Sequence, residues 1–585
     1  MALLIHKLKP LNLETFEPRN LETSNLEILK PYFETLYTAS SHPMPSSQPS
    51  SSALHFLLPS VRDFIFIFLF WSLLVGPLSN RPLADADIGW HIRTGELILA
   101  THTLPRTDPF SSTMQGQPWF AWEWLYDVLL GVLHRVCGLN GVVWLCALLV
   151  AGIFVFLFSQ LLRRGTGLLL AIVLMLLAEA ASAIHLFARP HIASWLFSLL
   201  WFVVLERWEG ERGRLPRWIP WFFPASMLIW VNLHGGWIFG LMLLAIYSFA
   251  AFIEGLRART SDALAAIRAA HRSRAMAWAW VASALATLAN PFGWRLHAHI
   301  YRYLSDRYLM DRIEEFRSPD FHGWAERSFA VILLLALIAF WGNRGKLCLG
   351  HLLVVLLAAY TAFYSSRNIP VSSMLLVLIA GPILWQNLAS LANRPRAWQW
   401  VRKGATRIVE FSDRMGAQEM ELRCHAWPIF SVVLAFAICL HGGLLGSRRL
   451  LNAQFDPRKM PVAAVTFLQG EVAGTPASTE PVFSTDAWGG YLIYKMNPGR
   501  MNPGRLYPER KVVVDDRHDL YGSGRIQEYL ILTQGERGWR SVLEKWQIRT
   551  ALLPTDSTLA SLLRELPRDW RVAYEDKVAV VFERR

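Results

Sequence analysis

The chain has 585 residues, of which 53% are hydrophobic and only 18% are charged, with a formal net charge of +13. A typical soluble chain is about 25% charged, so this composition and length exclude a single soluble domain. Most of the arginines lie in short loops between apolar runs. The positive-inside rule explains that placement, and the basic charge therefore does not indicate a nucleic-acid partner.

Apolar runs suited to crossing a bilayer, which takes about 20 residues, recur from residue 62 onwards. We predict about eleven spans, at 62–79, 140–162, 166–184, 190–205, 218–232, 236–256, 276–290, 328–341, 347–364, 369–388 and 428–445. Residues 1–60 are polar with a Ser/Pro-rich stretch, and are predicted to be a disordered cytoplasmic tail. The sequence thus predicts an α-helical polytopic membrane protein with a transmembrane domain at 61–445.

The distribution of basic residues predicts the orientation in the membrane. With a cytoplasmic N-terminus, the inner loops hold 20 Lys or Arg in 78 residues and the outer loops hold 11 in 107. Because basic residues favour cytoplasmic loops, this orientation is the preferred one. It places the C-terminal region, residues 446–585, outside the cytoplasm, and we expect the protein in the inner (plasma) membrane.

The first outer loop, residues 80–139, is long and carries acidic residues directly after the first span. Asp85 and Asp87 precede a predicted short helix at 88–100, on which His91 shares a face with Asp87. A second predicted amphipathic helix at 119–136 carries Glu123 and Asp127, also four residues apart. Both helices are too polar to span and are predicted to lie along the membrane surface.

Further polar groups lie at the same membrane face, at the outer ends of other spans. They are Arg189 and His191, Asn232 and His234, Asn290 with Arg295, His297 and His299, and Arg367 with Asn368. Ionisable side chains at a membrane boundary are costly unless they are paired or solvated. We therefore expect these groups to share a water-filled cavity on the outer side.

With this pattern the chain resembles the GT-C glycosyltransferases, and within them the bacterial proteins with an ArnT-like or protein-mannosyltransferase-like core. The likeness rests on the acidic D-x-D after the first span, the segments DIGWHIRTGELIL and PWFAWEWL of the first outer loop, the number of spans and the outer C-terminal region. It covers roughly residues 60–390. The chain lacks the WWDYG-type motif of oligosaccharyltransferases, since WGGYL at 488–492 does not match it, which argues against transfer to protein asparagine.

The resemblance implies an inverting transfer of a sugar from a polyprenyl-phosphate donor to a glycan, lipid or protein acceptor of the cell envelope. It assigns Asp87, or Asp85, as the base that takes the acceptor proton. The implied substrate-binding residues are His91, Glu123, Arg189, His191, His234 and Arg367. If the site holds a metal, the oxygen ligands Asp85 and Asp87 favour Mg²⁺ or Mn²⁺, although the superfamily includes metal-independent members.

Each assignment has a structural alternative. An aspartate before a helix often caps it, His91 can simply pair with Asp87, and Glu123 with Asp127 can form a solvated helix face. Arg189 can be an interfacial anchor, and His234 can belong to a packed turn. At the level of function, the alternatives are a transporter, or a non-catalytic scaffold whose outer region binds envelope partners.

Residues 446–585 change in character and predict a small α/β domain. Candidate strands are 481–484, 491–494, 511–514, 550–554 and 577–582, and candidate helices are 525–533, 537–546 and 556–566. The run DDRHDLYG at 515–522 follows a candidate strand, where α/β sheets often bind ligands, and a solvated loop is the favoured interpretation. MNPGR occurs twice in tandem at 496–505 and is interpreted as a local duplication.

Overall fold

The computed structural model describes residues 58–210, 216–260, 262–341, 348–394, 398–422, 425–470, 480–496 and 510–585. Almost all of the predicted N-terminal tail, and the tandem MNPGR apart from its first residue, lie outside the described residues. The described part is mainly helical, with a small sheet towards the C-terminus.

Each of the eleven predicted spans contains an α-helix. The helices before the C-terminal region are α1 Val61–Leu74, α2 Ile88–Thr101, α3 Trp124–Arg163, α4 Leu168–Ser182, α5 His191–Gly210, α6 Ile219–Leu233, α7 Trp237–Ala258, α8 Ala263–Ala286, α9 Trp294–Ser305, α10 Arg307–Met310, α11 Trp324–Trp341, α12 Leu349–Tyr364, α13 Ile369–Ala392, α14 Gln399–Glu421 and α15 Ala426–Leu440. Short 3-10 turns follow α4 at Ala183–His185 and precede α11 and α13 at Glu314–Phe316 and Ser366–Asn368.

Among the described residues, five helices are long and apolar enough to cross a membrane, and a sixth crossing results if α14 and α15, bent by 65°, count as one. The five are Trp124–Arg163, Leu168–His185, Trp237–Ala258, Trp324–Trp341 and Ser366–Ala392. The helices Ile219–Leu233 and Leu349–Tyr364 are apolar but shorter. A polytopic helical membrane protein is thus confirmed, and the number of eleven crossings stays a prediction.

The two short helices predicted in the first outer loop are present and cross closely. Helix α2 agrees with the prediction for 88–100, and α3 is broken at Gly138, where φ is 61°, so that its first part is the predicted amphipathic helix. A Cβ on Gly95 would overlap the carbonyl of Asp127, and one on Gly131 would overlap the backbone of Gly95. This pair of glycines lets the two backbones touch and places the side chains of α2 against those of α3.

The C-terminal region contains a four-stranded sheet in the order β3-β4-β6-β5. Its elements, together with a two-residue hairpin before it, are β1 Leu444–Leu445, β2 Arg448–Arg449, α16 Val462–Gly470, β3 Val482–Ser484, α17 Asp486–Met496, α18 His518–Gln534, α19 Trp539–Lys545, β4 Thr550–Pro554, α20 Thr558–Arg564, β5 Trp570–Glu575 and β6 Ala579–Arg584. Strand β3 runs parallel to β4, and the other neighbouring strands are antiparallel. The predicted mixture of helices and strands is confirmed, while the boundary at residue 446 stays a prediction.

One strand prediction is wrong, because residues 491–494 belong to helix α17. Tyr491, Leu492, Ile493 and Tyr494 are all buried. Helix α17 is covered on several sides, so its apolar residues form a continuous run without helical spacing. Such a short run does not distinguish a strand from a buried helix. The strand β5 was not predicted.

The C-terminal region is joined to the first outer loop by backbone contacts. Val512 lies between the two, since its N–H donates to the carbonyl of Phe110 at 3.1 Å and its carbonyl accepts from Ser112 at 2.8 Å. The neighbouring Val513 donates to Val482 of β3 at 2.9 Å. The predicted strand at 511–514 is therefore an extended connection between the loop and the sheet.

Glycines permit an equally close approach next to the acidic motif. A Cβ on Gly490 of α17 would overlap the carbonyl of Ala86, and a Cβ on Gly89 of α2 would overlap the carbonyl of Gly490. Neither residue has a backbone conformation that requires glycine. The close approach of the two chain segments is therefore the reason that side chains do not fit here.

We expect Gly490→Ala to destabilise the protein by about 1–3 kcal/mol, the usual cost of overpacking. The added methyl group would force α17 away from Ala86. Thermal unfolding of the purified protein, with limited proteolysis of the C-terminal region, measures the effect. Gly524→Ala in α18 is the control, because a Cβ there meets open space. An equal response of the two variants would contradict the close packing at Gly490.

Candidate active site

Asp85 and Asp87 share one guanidinium. Arg189 Nη1 lies 2.7 Å from Asp85 Oδ2, and Arg189 Nη2 lies 2.9 Å from Asp87 Oδ2. Asp85 Oδ1 accepts the backbone N–H of Asp87 at 2.9 Å, while the side chain of Asp87 makes no capping hydrogen bond to α2. Asp87 Oδ1 is buried and has no partner among the described residues. Helix capping therefore does not explain Asp87, and Arg189 is more than an interfacial anchor.

Glu315, which the sequence did not single out, belongs to the same cluster. Its carboxylate lies 2.7 Å from Arg189 Nη1 and 3.5 Å from Arg367 Nη1. Burial alone would raise the pKa of Glu315, but the charges of Arg189 and Arg367 outweigh it and hold the pKa below its usual range. The hydroxyls of Ser365 and Ser366 donate to the Glu315 carbonyl at 2.9 and 3.1 Å and position this turn against the start of α13.

His91 pairs with Asp127. The alternative interpretation, in which His91 pairs with Asp87, is therefore wrong. His91 Nδ1 lies 2.6 Å from Asp127 Oδ1, and His91 Nε2 lies 3.8 Å from Glu123 Oε2. The reason is the close crossing of α2 and α3, which places Asp127 opposite His91. Burial, followed by the charge of Arg189, lowers the pKa of His91 well below its ordinary value. Its imidazole is therefore neutral at pH 7.

Glu123 and Asp127 are buried, so they do not form a solvated helix face. Burial raises the pKa of Glu123 to about 7, and the charges of Arg367 and Arg189 only partly oppose that effect. A carboxyl group with such a pKa exchanges its proton near neutral pH.

His234 faces Glu123 from the end of α6. Its Nε2 lies 3.6 Å from Glu123 Oε1 and 3.1 Å from Arg367 Nη2. The backbone N–H of Gly236 donates to His234 Nδ1 at 3.0 Å, and the Ser194 hydroxyl lies 2.7 Å from the same nitrogen. The Gly236 N–H donates to Nδ1 and the Arg367 guanidinium can only donate to Nε2, so each ring nitrogen faces a donor. The turn that contains His234 thus also orients a functional group.

His191 completes one wall of the cluster from the start of α5. It is buried, and its Nε2 lies 2.7 Å from the carbonyl of His185. Together with Glu123, His234 and Arg367 it lines a cavity of about 180 Å³. The remaining walls of that cavity are largely apolar, with Trp195, Phe239, Ile300, Leu304 and Val371 among them.

A second, larger cavity of about 600 Å³ is also lined by Arg367, and by residues of both the helical core and the C-terminal region. Asp85, Asp87, Arg189 and Glu315 form one wall. The lining residues from the C-terminal region include Lys459, Asp486, Trp488, Asp516, His518 and Tyr529. A smaller space of about 80 Å³, lined by Asp87, Glu123 and the aromatic residues Trp90, Trp119, Phe120 and Trp122, has residues in common with both cavities.

The loop that starts DDRHD is thus part of the site and not a solvated loop. Asp516 offers an oxygen within 4.8 Å of oxygens of Asp85 and Asp87. Burial first, and then the charge of Asp85, raise the pKa of Asp516 to about 7. Arg517 is buried between Asp515 and Asp108, at 2.7 and 2.8 Å. This ion pair joins the loop to the first outer loop.

The structure brings together all eight residues that the sequence nominated, namely Asp85, Asp87, His91, Glu123, Arg189, His191, His234 and Arg367. Sequence reasoning missed Glu315 and undervalued Asp516. The signal for Glu315 was an acidic pair in an outer loop, and the signal for Asp516 was the acidic cluster after a predicted strand.

No family model matches the chain, and no curated protein matches it. Among solved structures, the oligosaccharyltransferase of Archaeoglobus fulgidus with a tethered acceptor peptide is similar, with a TM-score of 0.51 and 12% identity over 86% of this chain and 70% of that chain. Its apo form gives a TM-score of 0.50 at 11% identity, over 86% and 70% of the two chains. ArnT from Cupriavidus metallidurans, bound to undecaprenyl phosphate, gives 0.42 at 13% identity over 92% and 98%.

The chain therefore shares its fold with the membrane oligosaccharyltransferase of Archaeoglobus fulgidus. At this level of identity the comparison shows the fold alone.

Proposed function

We propose that the protein is a membrane glycosyltransferase that moves a sugar from a polyprenyl-phosphate donor to an envelope acceptor on the outer side of the inner membrane. The observation that carries the proposal is the meeting of paired carboxylates, histidines and two arginines between an apolar cavity and a polar one. The excess of basic residues in the predicted inner loops supports this orientation.

The apolar cavity suits the lipid-linked donor. An isoprenoid chain fits beside Trp195, Phe239 and Leu304, and its phosphate would meet the guanidinium of Arg367 and the imidazole of His234. Charge-assisted hydrogen bonds of this kind stabilise a phosphate as its negative charge grows during departure. His191 lines the same end of the cavity.

The small aromatic space between the cavities suits the sugar ring. Trp90, Trp119 and Trp122 offer flat apolar faces, and Glu123 offers a polar group for sugar hydroxyls. The position of this space next to both Glu123 and Asp87 supports the idea that the reacting carbon lies there.

The acceptor would enter from the larger polar cavity, with Asp87 as its base. Asp85 has both carboxylate oxygens occupied by hydrogen-bond donors, whereas Asp87 Oδ1 has none among the described residues. In the proposed step the acceptor hydroxyl gives its proton to Asp87 and forms a bond to the anomeric carbon. The carbon–oxygen bond to phosphate breaks, and its electron pair leaves with the polyprenyl phosphate. Attack opposite the leaving group inverts the configuration.

The fold family also raises the question of a divalent cation. The unpartnered buried oxygen of Asp87, close to Asp85 and Asp516, fits such an ion. A cation held there would lie on the acceptor side and would lower the pKa of a bound acceptor hydroxyl.

The test compares lipid-linked sugars and envelope glycans, by mass spectrometry, in cells with and without the protein. We expect one polyprenyl-phosphate sugar to accumulate and one glycan to lose a residue when the protein is absent. Cells with the Asp85→Asn/Asp87→Asn double variant should resemble those without the protein, although the variant is folded and present at normal levels. Unchanged lipids and glycans would reject the proposal in favour of a transporter or a scaffold.

The pKa of Glu123 predicts how donor use depends on pH. Its carboxyl is protonated below about pH 7 and can donate to a phosphate oxygen, whereas above that pH its negative charge repels the phosphate. We therefore expect KM for the donor to rise as the pH increases from 6 to 8. Glu123→Gln should remove this dependence while wild-type protein keeps it. A KM that is equally pH-dependent in the variant would contradict the role of Glu123.

A further inference from the structure

The loop after Val514 brings a carboxylate of the C-terminal region to the acidic motif of the first outer loop. We propose that Asp516 joins Asp85 and Asp87 in binding one divalent cation, Mg²⁺ or Mn²⁺, so that the C-terminal region is part of the active site. The proposed function is needed only to say what the cation does. The binding itself rests on the geometry of these three residues.

The distances are close to those that a cation requires. One oxygen of each carboxylate lies within 4.8 Å of the other two. Ligands of Mg²⁺ lie about 2.1 Å from the ion, so two of them are at most about 4.2 Å apart. A small rotation of one or two side chains brings the set within that distance.

A second observation points to a ligand at this position. Asp87 is only 5% exposed, and its Oδ1 has no hydrogen-bond partner among the described residues. Asp516 Oδ1 is likewise buried and unpartnered within the described part of the chain. Burying a charged oxygen without a partner is costly, and a bound cation would remove that cost for both oxygens.

Arg189 does not compete for this position. It contacts the Oδ2 atoms of Asp85 and Asp87, which leaves Asp87 Oδ1 free. Asp85 Oδ1 accepts one hydrogen bond, from the backbone N–H of Asp87, and keeps a second lone pair for a cation. Each carboxylate oxygen also has two lone pairs, so Asp87 Oδ1 can contact a cation and accept the proton of the acceptor hydroxyl.

The carboxylates of this cluster outnumber its guanidinium groups by two. In this cluster the four carboxylates of Asp85, Asp87, Glu315 and Asp516 face the two guanidinium groups of Arg189 and Arg367, and Arg312, Glu314 and Lys459 also line the cavity. The nearby Arg517 forms ion pairs with both Asp515 and Asp108, so it has no positive charge left over for the cluster. His518 pairs with Asp486. A divalent cation therefore balances the cluster, and an all-oxygen ligand set favours Mg²⁺ or Mn²⁺ over zinc.

The fold holds Asp516 in place against the motif. The backbone of Gly490 packs against Ala86, and that of Gly489 packs against Asp515. This close packing prevents the loop from shifting relative to the acidic motif. The buried Arg517–Asp108 ion pair and the Val512 hydrogen bonds join the same loop to the first outer loop. Ligands held by packed backbone bind a metal with less loss of conformational freedom.

The experiment titrates Mn²⁺ into the purified full-length protein in detergent and measures free ion by electron paramagnetic resonance, with no donor or acceptor present. We expect one site in the wild type and at least tenfold weaker binding in Asp516→Asn and Asp516→Ser. Asp556→Asn is the matched control, because Asp556 is an exposed aspartate of the same region, and it should bind like wild type. Thermal unfolding midpoints establish that all of the variants are folded.

Two results would overturn the inference. Wild type that binds no Mn²⁺ would exclude the cation site, and folded Asp516 variants with wild-type affinity would exclude Asp516 as a ligand. The proposed function is judged separately, by sugar transfer. Protein that binds Mn²⁺ through Asp516 but transfers no sugar would support the cation site and reject the transferase.

Discussion

Arg189→Met should destabilise the protein by about 3–5 kcal/mol, the usual cost of leaving buried charges without their partner. The guanidinium lies within 2.9 Å of Asp85, Asp87 and Glu315 at once. Without it, three carboxylates face one another in a site that is largely shielded from water. The measurement is the thermal unfolding midpoint of purified protein, together with the yield of folded protein in the membrane.

Two comparison variants make the Arg189 result specific. Arg571→Met removes an exposed partner of Glu583 in the sheet and should cost about 0–1 kcal/mol. Arg189→Lys keeps the charge but cannot bridge two carboxylates as a planar guanidinium does, so its stability should be intermediate. If Arg189→Met were as stable as Arg571→Met, the three contacts would not be an important part of the folded state.

Asp87→Asn should lower the transfer rate by about 10²–10⁴-fold, the usual contribution of a general base. The amide has nearly the shape of the carboxylate but cannot take the acceptor proton. We expect the effect in kcat, measured with saturating donor, and little change in the unfolding midpoint. The readout is release of polyprenyl phosphate from a synthetic polyprenyl-phosphate sugar by protein in lipid nanodiscs.

The neighbouring aspartate provides the control for this prediction. Asp85→Asn should reduce kcat less, because both Asp85 oxygens already accept hydrogen bonds from Arg189 and from the backbone of Asp87. An Asp87→Asn variant with full activity would remove Asp87 from the mechanism. The reverse order, with Asp85→Asn the slower enzyme, would move the base to Asp85.

The C-terminal region has a role in both the fold and the site. Its sheet is continued through Val512 to the first outer loop, and its loop at 515–519 faces the acidic motif. A region attached in this way moves with the candidate site residues. Variants that loosen it, such as Gly490→Ala, should therefore affect catalysis as well as stability.

Several features followed directly from local sequence. Apolar runs of span length produced a helix in all eleven predicted segments, since such a run forms its backbone hydrogen bonds internally. The alternation of polar and apolar residues at 88–100 and 119–136 located both short helices of the first loop. Polar groups at alternate span ends located the site, because side chains on one membrane face have few places to be solvated.

Other features depended on contacts between distant parts of the chain. The partner of His91 is set by the close crossing at Gly95 and Gly131. Residues 491–494 form a helix because they are covered on several sides, which an isolated apolar run does not reveal. Glu315 and Asp516 acquire their roles only where separate loops meet.

The order and polarity of side chains therefore determined that this chain is a membrane protein, because burial in lipid constrains each segment by itself. The tertiary structure alone decided which acids share Arg189, which oxygen of Asp87 remains free, and that Asp516 belongs beside it. These are pairwise distances of a few ångströms between residues up to 431 positions apart, and local sequence contains no information about such distances.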